Sequence, residues 1–203
     1  MKVITIGVVD YGMGNHASVV HTLRSLGFRV RISGLASELD GVDILFLPGV
    51  GAFPAAMREL HQRGLVSYLR EQAALRRPIV GICLGMQLLA STSDEHGYTE
   101  GLGLIPGEIV PFDNGGWHIG WNTLNCPGGD ALVRGSDMQA FYFNHAFYYR
   151  GMAEFQIARV SNGLTFAAII RRGSVVGLQF HPEKSQTAGR VLLQSLMTEL
   201  ANA

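Results

Sequence analysis

Residues 81–89 hold a cysteine in a setting that is typical of a nucleophile. Cys83 stands between Gly81 and Gly85 in a Gly-x-Cys-x-Gly pattern, which follows a short apolar run and opens an apolar, helix-like segment. At a strand-to-helix junction this pattern predicts a tight turn that exposes the thiol at its tip. There the helix dipole favours a thiolate, and the Leu84 N–H points toward the oxygen that becomes charged when Cys83 attacks a carbonyl. The alternative is a buried cysteine in a core strand, because free cysteines are among the most buried residues.

A base and a carboxylate stand near the end of the last predicted strand. Pro182 keeps His181 out of the helical region, so we expect an extended segment in which His181 and Glu183 project to the same side. A carboxylate in that place would fix the tautomer of the imidazole, and the two groups would form the base and the orienting residue of a cysteine triad. The alternative is a surface turn. Cys83 and His181 support each other, because strand ends meet at one edge of a parallel sheet.

A glycine-rich loop over residues 48–53 follows the third predicted strand and belongs to the same edge of the sheet. Gly49 and Gly51 would let the backbone approach a ligand closely. An N–H group of Val50 or Gly51 is therefore expected to be the second donor to the oxyanion. Without Cys83 and His181 the same residues would indicate only an ordinary turn.

The elements that must position these groups alternate between strand and helix in the first half of the chain. Strands are predicted at residues 3–9, 28–32, 42–47 and 78–82, and helices at residues 16–26, 54–62, 65–76 and 84–91. Asn15 and Gly27 suit the N-cap and the C′ position of the first helix. This order predicts an α/β fold with a doubly wound, mostly parallel sheet of the flavodoxin type.

The second half of the chain has a different pattern, in which strands follow one another without helices. They are predicted at residues 105–112, 117–124, 141–149, 155–160, 164–170 and 175–180, and a helix over residues 187–200 closes the chain. Consecutive strands of this kind predict an antiparallel or mixed extension of the sheet.

Composition restricts the classes of function. The chain has 203 residues and no formal net charge, so we expect one domain over residues 1–203 and neither a nucleic-acid partner nor a membrane. Two cysteines form no disulfide framework and fit a cytoplasmic protein. The short apolar start lacks the features of a signal peptide, and no stretch is long and apolar enough to span a membrane. Cysteine and histidine spacing does not fit zinc, so we expect no metal site and no cofactor.

Taken together, several motifs make the chain similar to the class I glutamine amidotransferases, and within them to the glutaminase subunits of imidazole glycerol phosphate synthases. They occur in the family's order over nearly the whole chain, at residues 10–15, 47–53, 81–89, 101–107, 118–122 and 177–186. The resemblance implies hydrolysis of L-glutamine to glutamate and ammonia. It also implies a heterodimer in which a cyclase or synthase subunit of histidine biosynthesis receives the ammonia.

The resemblance also assigns roles to individual residues. It implies a catalytic triad of Cys83, His181 and Glu183. The residues that it places near the substrate are Gln87, Glu95 and Gly49, of which Glu95 suits the ammonium group of glutamine. The residues that it places toward the synthase and the ammonia path are Asp10, Asn15 and Lys184.

Two segments depart from the family's pattern, and other functions stay open. Residues 143–147 read Phe-Asn-His-Ala-Phe where the family has Phe-Val-His-Ser-Tyr, and Trp117 stands in place of a proline. A paralogous glutaminase that feeds another synthase has the same chemistry. A free-standing γ-glutamyl cysteine hydrolase would need no partner, and a flavodoxin-like binding module would need no intact triad.

Overall fold

The structure is a computed structural model that describes residues 4–113 and 115–201. Its helices within that part of the chain are α1 (His16–Ser25), α2 (Ala36–Leu39), α3 (Phe53–Gln62), α4 (Leu65–Ala74), α5 (Leu84–Leu88) and α6 (Gln186–Ala201). Its strands are β1 (Thr5–Val9), β2 (Arg29–Ser33), β3 (Ile44–Gly49), β4 (Ile79–Cys83), β5 (Thr92–Ser93), β6 (Thr99–Glu100), β7 (Glu108–Pro111), β8 (His118–Thr123), β9 (Ala140–His145), β10 (Phe147–Arg150), β11 (Gln156–Asn162), β12 (Leu164–Arg172) and β13 (Val175–Leu178).

A seven-stranded sheet in the order β11-β12-β13-β4-β3-β1-β2 forms the centre of the molecule. Strands β2, β1, β3, β4 and β13 run parallel to one another, whereas β12 is antiparallel to β13 and β11 is antiparallel to β12. The predicted fold class, a mostly parallel α/β sheet with an antiparallel extension, is therefore confirmed. In the register of β3 with β4, Gly49 lies opposite Cys83, so the loop after β3 and the cysteine share one edge of the sheet.

Both faces of this sheet are covered by apolar side chains. The β3 and β4 strands are buried along their whole length, as expected for central strands of a parallel sheet. One face packs against α1 and α6, and the other against α3 and α4. The rigid centre fixes where the ends of β3 and β4 lie, and with them the candidate site.

The predicted bounds of the first-half elements are close to those observed. The first strand begins at Thr5, and the predicted residue Val3 lies outside the described residues. Asn15 precedes α1, but its side chain does not cap the helix and instead accepts a hydrogen bond from Ser18 Oγ at 3.4 Å. Gly27 adopts φ +90° just after the helix, as its C′ assignment requires.

The second half differs more from the prediction. Ala146 interrupts the predicted strand over residues 141–149, so that β9 pairs with β8 in a two-stranded ribbon while β10 joins a separate sheet with β7, β5 and β6. The strands β5 and β6 were not predicted, and in the first half α2 was not predicted and the helix expected over residues 84–91 is only Leu84–Leu88. Short elements of this kind have too few residues to show a periodic pattern.

No helix within residues 4–113 and 115–201 has the length and apolarity that a membrane span requires. In the same part of the chain, no cluster of three or more histidine, cysteine, aspartate or glutamate side chains is arranged to hold a metal ion.

Candidate active site

Cys83 occupies a strained turn between β4 and α5. Its backbone has φ +54° and ψ −112°, a combination that side-chain-bearing residues rarely adopt. The neighbouring glycines permit the turn, because a Cβ on Gly85 would collide with the carbonyl oxygen of Leu47, and one on Gly81 would collide with the backbone of Gly85. The strand, the turn and the next helix thus pack closer together than side chains would allow, and this packing holds the thiol at the end of the sheet.

His181 and Glu183 lie beside the cysteine. His181 Nδ1 is 2.8 Å from Glu183 Oε1, and both side chains are buried. The connecting chain is not extended as predicted: a single turn of 3-10 helix over Pro182–Lys184 brings the two side chains together, closed by the Lys184 N–H donating to the His181 carbonyl. Pro182 thus starts a turn after His181 rather than continuing a strand.

The two neighbours of His181 favour its charged form. Burial would lower the pKa of His181, but the hydrogen bonds with Cys83 and Glu183 outweigh burial and raise the pKa to about 9. A charged His181 would stabilise the thiolate that forms when Cys83 loses its proton. This is the charge arrangement that a cysteine nucleophile with a histidine acid and base requires.

The Gly49–Gly51 loop lies against the turn at Cys83. Gly49 is buried next to Leu84, and Gly51 adopts φ +101°, which a side chain would strain. Leu84 is the first residue of α5, so its N–H has no acceptor within the helix. The backbone of Val50 and Gly51 borders the same cavity as Cys83 and Leu84. The predicted donors are thus close to the thiol.

A cavity of about 320 Å³ opens in front of the thiol. Two of the residues predicted to bind substrate, Gln87 and Glu95, border it. Glu95 is buried, and its Oε2 accepts a hydrogen bond of 2.8 Å from the N–H of Phe53, the first residue of α3. A buried carboxylate that is fixed in this way offers its other oxygen to a cationic group in the cavity.

The wall opposite Leu84 comes from the break between β9 and β10. The Asn144 carbonyl oxygen accepts a weak hydrogen bond from Cys83 Sγ at 3.8 Å, and the Phe147 carbonyl oxygen accepts one from Gln87 Nε2 at 3.0 Å. Gln87 therefore links the helix after Cys83 to this wall. Trp117, which replaces the family's proline, borders the same cavity.

Of the residues predicted to face a partner, Lys184 borders the cavity, whereas Asp10 and Asn15 are not among its lining residues. Lys184 is exposed at the cavity, with Nζ 5.8 Å from the ring centroid of Tyr142. Asn15 borders a narrow gap on the far side of His181 and Glu183. Asp10 is half-exposed, and its carboxylate accepts a hydrogen bond from the Gly12 N–H at 3.0 Å.

Sequence reasoning missed the residues that hold His181 in place. The N–H of His181 donates to the Tyr142 carbonyl at 2.9 Å, and the buried Ser185 Oγ donates to the His181 carbonyl at 2.7 Å while it accepts from the Tyr142 N–H at 3.0 Å. Ser185 belongs to the motif at residues 177–186, and this position was a signal that it contributes to the site. Its pairing with β9 was not visible without the fold.

The other cysteine and two of the other histidines lie outside this group. Cys126 is separate from the cavity lining, and burial, with the nearby Asp137 carboxylate, raises its thiol pKa to about 11. The helical histidines His21 and His61 are exposed.

Comparison with known proteins identifies relatives over most of the chain. The model of the family described as "Glutamine amidotransferase class-I" matches residues 7–198. The imidazole glycerol phosphate synthase subunit HisH of Streptococcus gordonii is 44% identical over 192 residues, which cover 92% of each chain. The protein of the same name from Carboxydothermus hydrogenoformans is 43% identical over 192 residues, covering 93% of this chain and 96% of its own.

Solved structures share the fold. PurLQS from Thermotoga maritima superimposes with a TM-score of 0.77 at 22% identity, covering 98% of this chain and 100% of the other. A glutamine amidotransferase from the same organism gives a TM-score of 0.74 at 15% identity, with 100% of both chains covered.

Proposed function

The chain belongs to the class I glutamine amidotransferase family, and we propose that it is the glutaminase subunit of an imidazole glycerol phosphate synthase. Its reaction is then the hydrolysis of L-glutamine to glutamate and ammonia. The observation that carries the proposal is the strained Cys83 beside the buried His181–Glu183 pair, in a chain whose relatives over more than nine-tenths of its length are synthase subunits of this name.

The arrangement supports the following roles. Cys83 thiolate attacks the side-chain carboxamide carbon of glutamine, and the oxyanion is stabilised by N–H groups of Leu84 and of the Val50–Gly51 loop. His181, oriented by Glu183, protonates the departing ammonia and then activates the water that hydrolyses the thioester.

Substrate binding uses the other side of the cavity. The free oxygen of the buried Glu95 carboxylate suits the α-ammonium group of glutamine. Gln87 borders the space beside the thiol. Gly49 borders a narrow neighbouring gap instead, and a side chain there would collide with the Tyr11 hydroxyl. A cavity of about 320 Å³ accommodates one amino acid, at the lower end of the usual range for ligand sites.

The partner that we propose is a cyclase subunit, bound as a heterodimer, that receives the ammonia directly. Three large apolar side chains, in β8 and directly before it, support a docking surface next to the cavity: Trp117, Ile119 and Trp121 are 64%, 61% and 51% exposed. Asp10, Asn15 and Lys184 belong to the same proposed face. Together with its partner the subunit would act as a lyase, in the cytoplasm, where its two free cysteines fit a reducing environment.

The dependence on a partner can be tested directly. Purified chain should hydrolyse glutamine slowly, and addition of the co-purified native partner with its acceptor substrate should raise the rate, because uncoupled hydrolysis wastes glutamine. Full activity of the isolated chain would instead identify a free-standing γ-glutamyl hydrolase. Coupling to a partner with another acceptor would identify a paralogous amidotransferase.

A further inference from the structure

A second pair of histidines belongs to the wall of the cavity, and the proposed reaction does not use it. His145 lines the cavity, and His118 lies outside the lining. His118 and His145 face each other across the antiparallel ribbon of β8 and β9. They are 5% and 4% exposed, so their ring nitrogens depend on protein partners for hydrogen bonds.

The hydrogen bonds around the two rings have only one consistent direction. His145 Nδ1 lies 2.8 Å from the Phe147 carbonyl oxygen, which can only accept, so the proton of His145 is on Nδ1. When the ring is neutral, His145 Nε2 is then bare and accepts from His118 Nδ1–H at 3.0 Å. His118 Nε2 is bare in turn and accepts from the Asn122 amide nitrogen at 3.2 Å.

Asn122 closes the chain at its other end. The second hydrogen of its amide nitrogen points to the Ser161 carbonyl oxygen at 2.9 Å, and its Oδ1 accepts the Thr123 N–H at 2.8 Å. The amide orientation is therefore fixed by groups outside the two rings. Every nitrogen in the chain has one role, and both histidines are neutral Nδ1–H tautomers.

Protonation of either ring would break the chain. A proton on His145 Nε2 would face the N–H of His118, and one on His118 Nε2 would face the amide hydrogens of Asn122. Burial, together with the nearby His118 and His181, lowers the pKa of His145 to about 3 although the Phe147 carbonyl opposes the shift. Burial also lowers the pKa of His118.

One end of this series of hydrogen bonds lies at the candidate active site. The Phe147 carbonyl accepts both His145 Nδ1–H and Gln87 Nε2–H, and the bond from His145 closes the bend at Ala146. Three residues before Phe147, the Asn144 carbonyl faces Cys83 Sγ. The position of the segment over residues 144–147 therefore sets the distance between the wall and the thiol.

Aromatic packing fixes the two rings laterally. The His118 ring centroid lies 4.6 Å from that of Phe143 and 5.4 Å from that of Phe166, and the His145 centroid lies 5.6 Å from that of Phe112. Neither ring has a nitrogen left for a substrate. Their contribution to the site is thus geometric rather than chemical.

We propose that His118 and His145 are positioning residues, a neutral histidine pair that holds the Asn144–Phe147 wall at the distance from Cys83 that glutamine binding requires. This inference rests on the proposed glutaminase function. It adds two residues and one protonation state to the site.

The first test reads the tautomers and does not depend on activity. Long-range ¹H–¹⁵N correlation spectra of the imidazole rings, assigned with the His118→Asn and His145→Asn variants, should show both rings as neutral Nδ1–H tautomers at neutral pH. An Nε2–H tautomer or a charged ring at either position would overturn the proposal.

The second test compares KM with kcat for glutamine in the complex with the native partner. His145→Leu removes both hydrogen bonds and should raise KM at least roughly tenfold, because a small displacement of the wall weakens binding, while kcat changes less than about threefold. His145→Asn keeps a donor near the position of Nδ1 and should recover most of the loss. In the His145→Leu variant, iodoacetamide should alkylate Cys83 at a rate within about twofold of the wild-type rate.

Val160→Ala is the matched control, since Val160 belongs to the same apolar cluster as Phe143 and Phe166 but has no polar side-chain atom. It should lower the melting temperature without changing KM. If His145→Leu lowers the melting temperature and leaves KM unchanged, or if His145→Asn fails to recover KM, the positioning role is wrong. A wild-type complex that hydrolyses no glutamine would instead overturn the proposed function, and the spectra would still decide the protonation state.

Discussion

The cavity lies between two walls that are held by different means. The elbow wall, formed by Gly49–Gly51, Cys83, Leu84 and His181, stands at the end of buried parallel strands, and it is held by glycine packing and by a backbone in a rarely populated conformation. The ribbon wall, formed by Trp117 and by residues 144–147, lies beside a half-exposed two-stranded ribbon and is held by a chain of neutral hydrogen bonds.

Because the two walls are held differently, we expect them to have different roles in the reaction. The elbow wall holds Cys83 and His181, to which the proposed mechanism assigns nucleophilic attack and proton transfer, and its rigid packing keeps them close to one another. The ribbon wall presents mainly backbone carbonyls, and a hydrogen bond from Gln87 links it to the elbow wall. Changes in the elbow wall should therefore lower kcat, and changes in the ribbon wall or between the walls should raise KM.

Replacing His181 with alanine should have the largest effect. The variant loses the acid and base of the proposed mechanism, so glutamine-dependent kcat in the complex should fall roughly a thousandfold or more, with a smaller change in KM. Steady-state kinetics with glutamine measure both constants. His21→Ala, on the exposed side of α1, is the control and should behave like the wild type. A change in KM without a fall in kcat would contradict the expected difference between the two walls.

Gly85→Ala tests how the elbow wall is held. A Cβ there meets the Leu47 carbonyl, a backbone group that cannot move aside, so the variant should lose about 3 kcal/mol of the free energy of unfolding. Thermal unfolding should show a decrease of roughly 10 °C in melting temperature. Gly128→Ala is the control, because the Cβ meets no atom within 4 Å and φ is ordinary. Equal stability of the two variants would contradict the packing argument.

The parallel half of the fold was predictable because each of its elements has a strong local pattern. Buried β-branched runs, glycines at helix ends and the Gly-x-Cys-x-Gly turn each identify a structure within a few residues. The strand ends then come together by the topology of a parallel sheet, so the proximity of Cys83, Gly49 and His181 follows.

The ribbon wall was not predictable in the same way. Residues 141–149 read like one strand, and the pairing of β10 with β7 after the break at Ala146 is visible only in the fold. His118 and His145 are 27 residues apart, and their pairing depends on the register of two strands. The contact between His181 and Glu183 was expected for a different reason, since a 3-10 turn rather than an extended segment brings them together.

The charge on His181 gives the elbow wall a pH dependence. Its folded pKa of about 9 lies above the ordinary histidine value of 6.5, so its stabilising effect is complete below about pH 6.5 and is lost as the pH rises through about 9. The loss should be at most about 3 kcal/mol. Urea unfolding between these two pH values should show this decrease for the wild type and a smaller one for His181→Asn. Parallel curves for the two proteins would contradict the raised pKa.

Glu95→Gln should have the smallest effect. The amide oxygen can still accept the Phe53 N–H, so the structure should be retained, but the negative charge in the cavity is lost. Loss of one charge-assisted hydrogen bond, about 2 kcal/mol, should raise KM for glutamine roughly 30-fold and leave kcat nearly unchanged. A fall in kcat without a change in KM would place Glu95 among the groups that stabilise the transition state.

The central claim is that Cys83 is the nucleophile of a glutaminase that supplies ammonia to a partner. The most direct test is the complex with Cys83→Ala, in which product formation is measured first with glutamine and then with ammonium salt. Cys126→Ala is the control, and it should retain both activities because its thiol lies outside the cavity. Our account predicts that Cys83→Ala abolishes synthesis from glutamine and retains synthesis from ammonium, whereas a variant that still uses glutamine would contradict it.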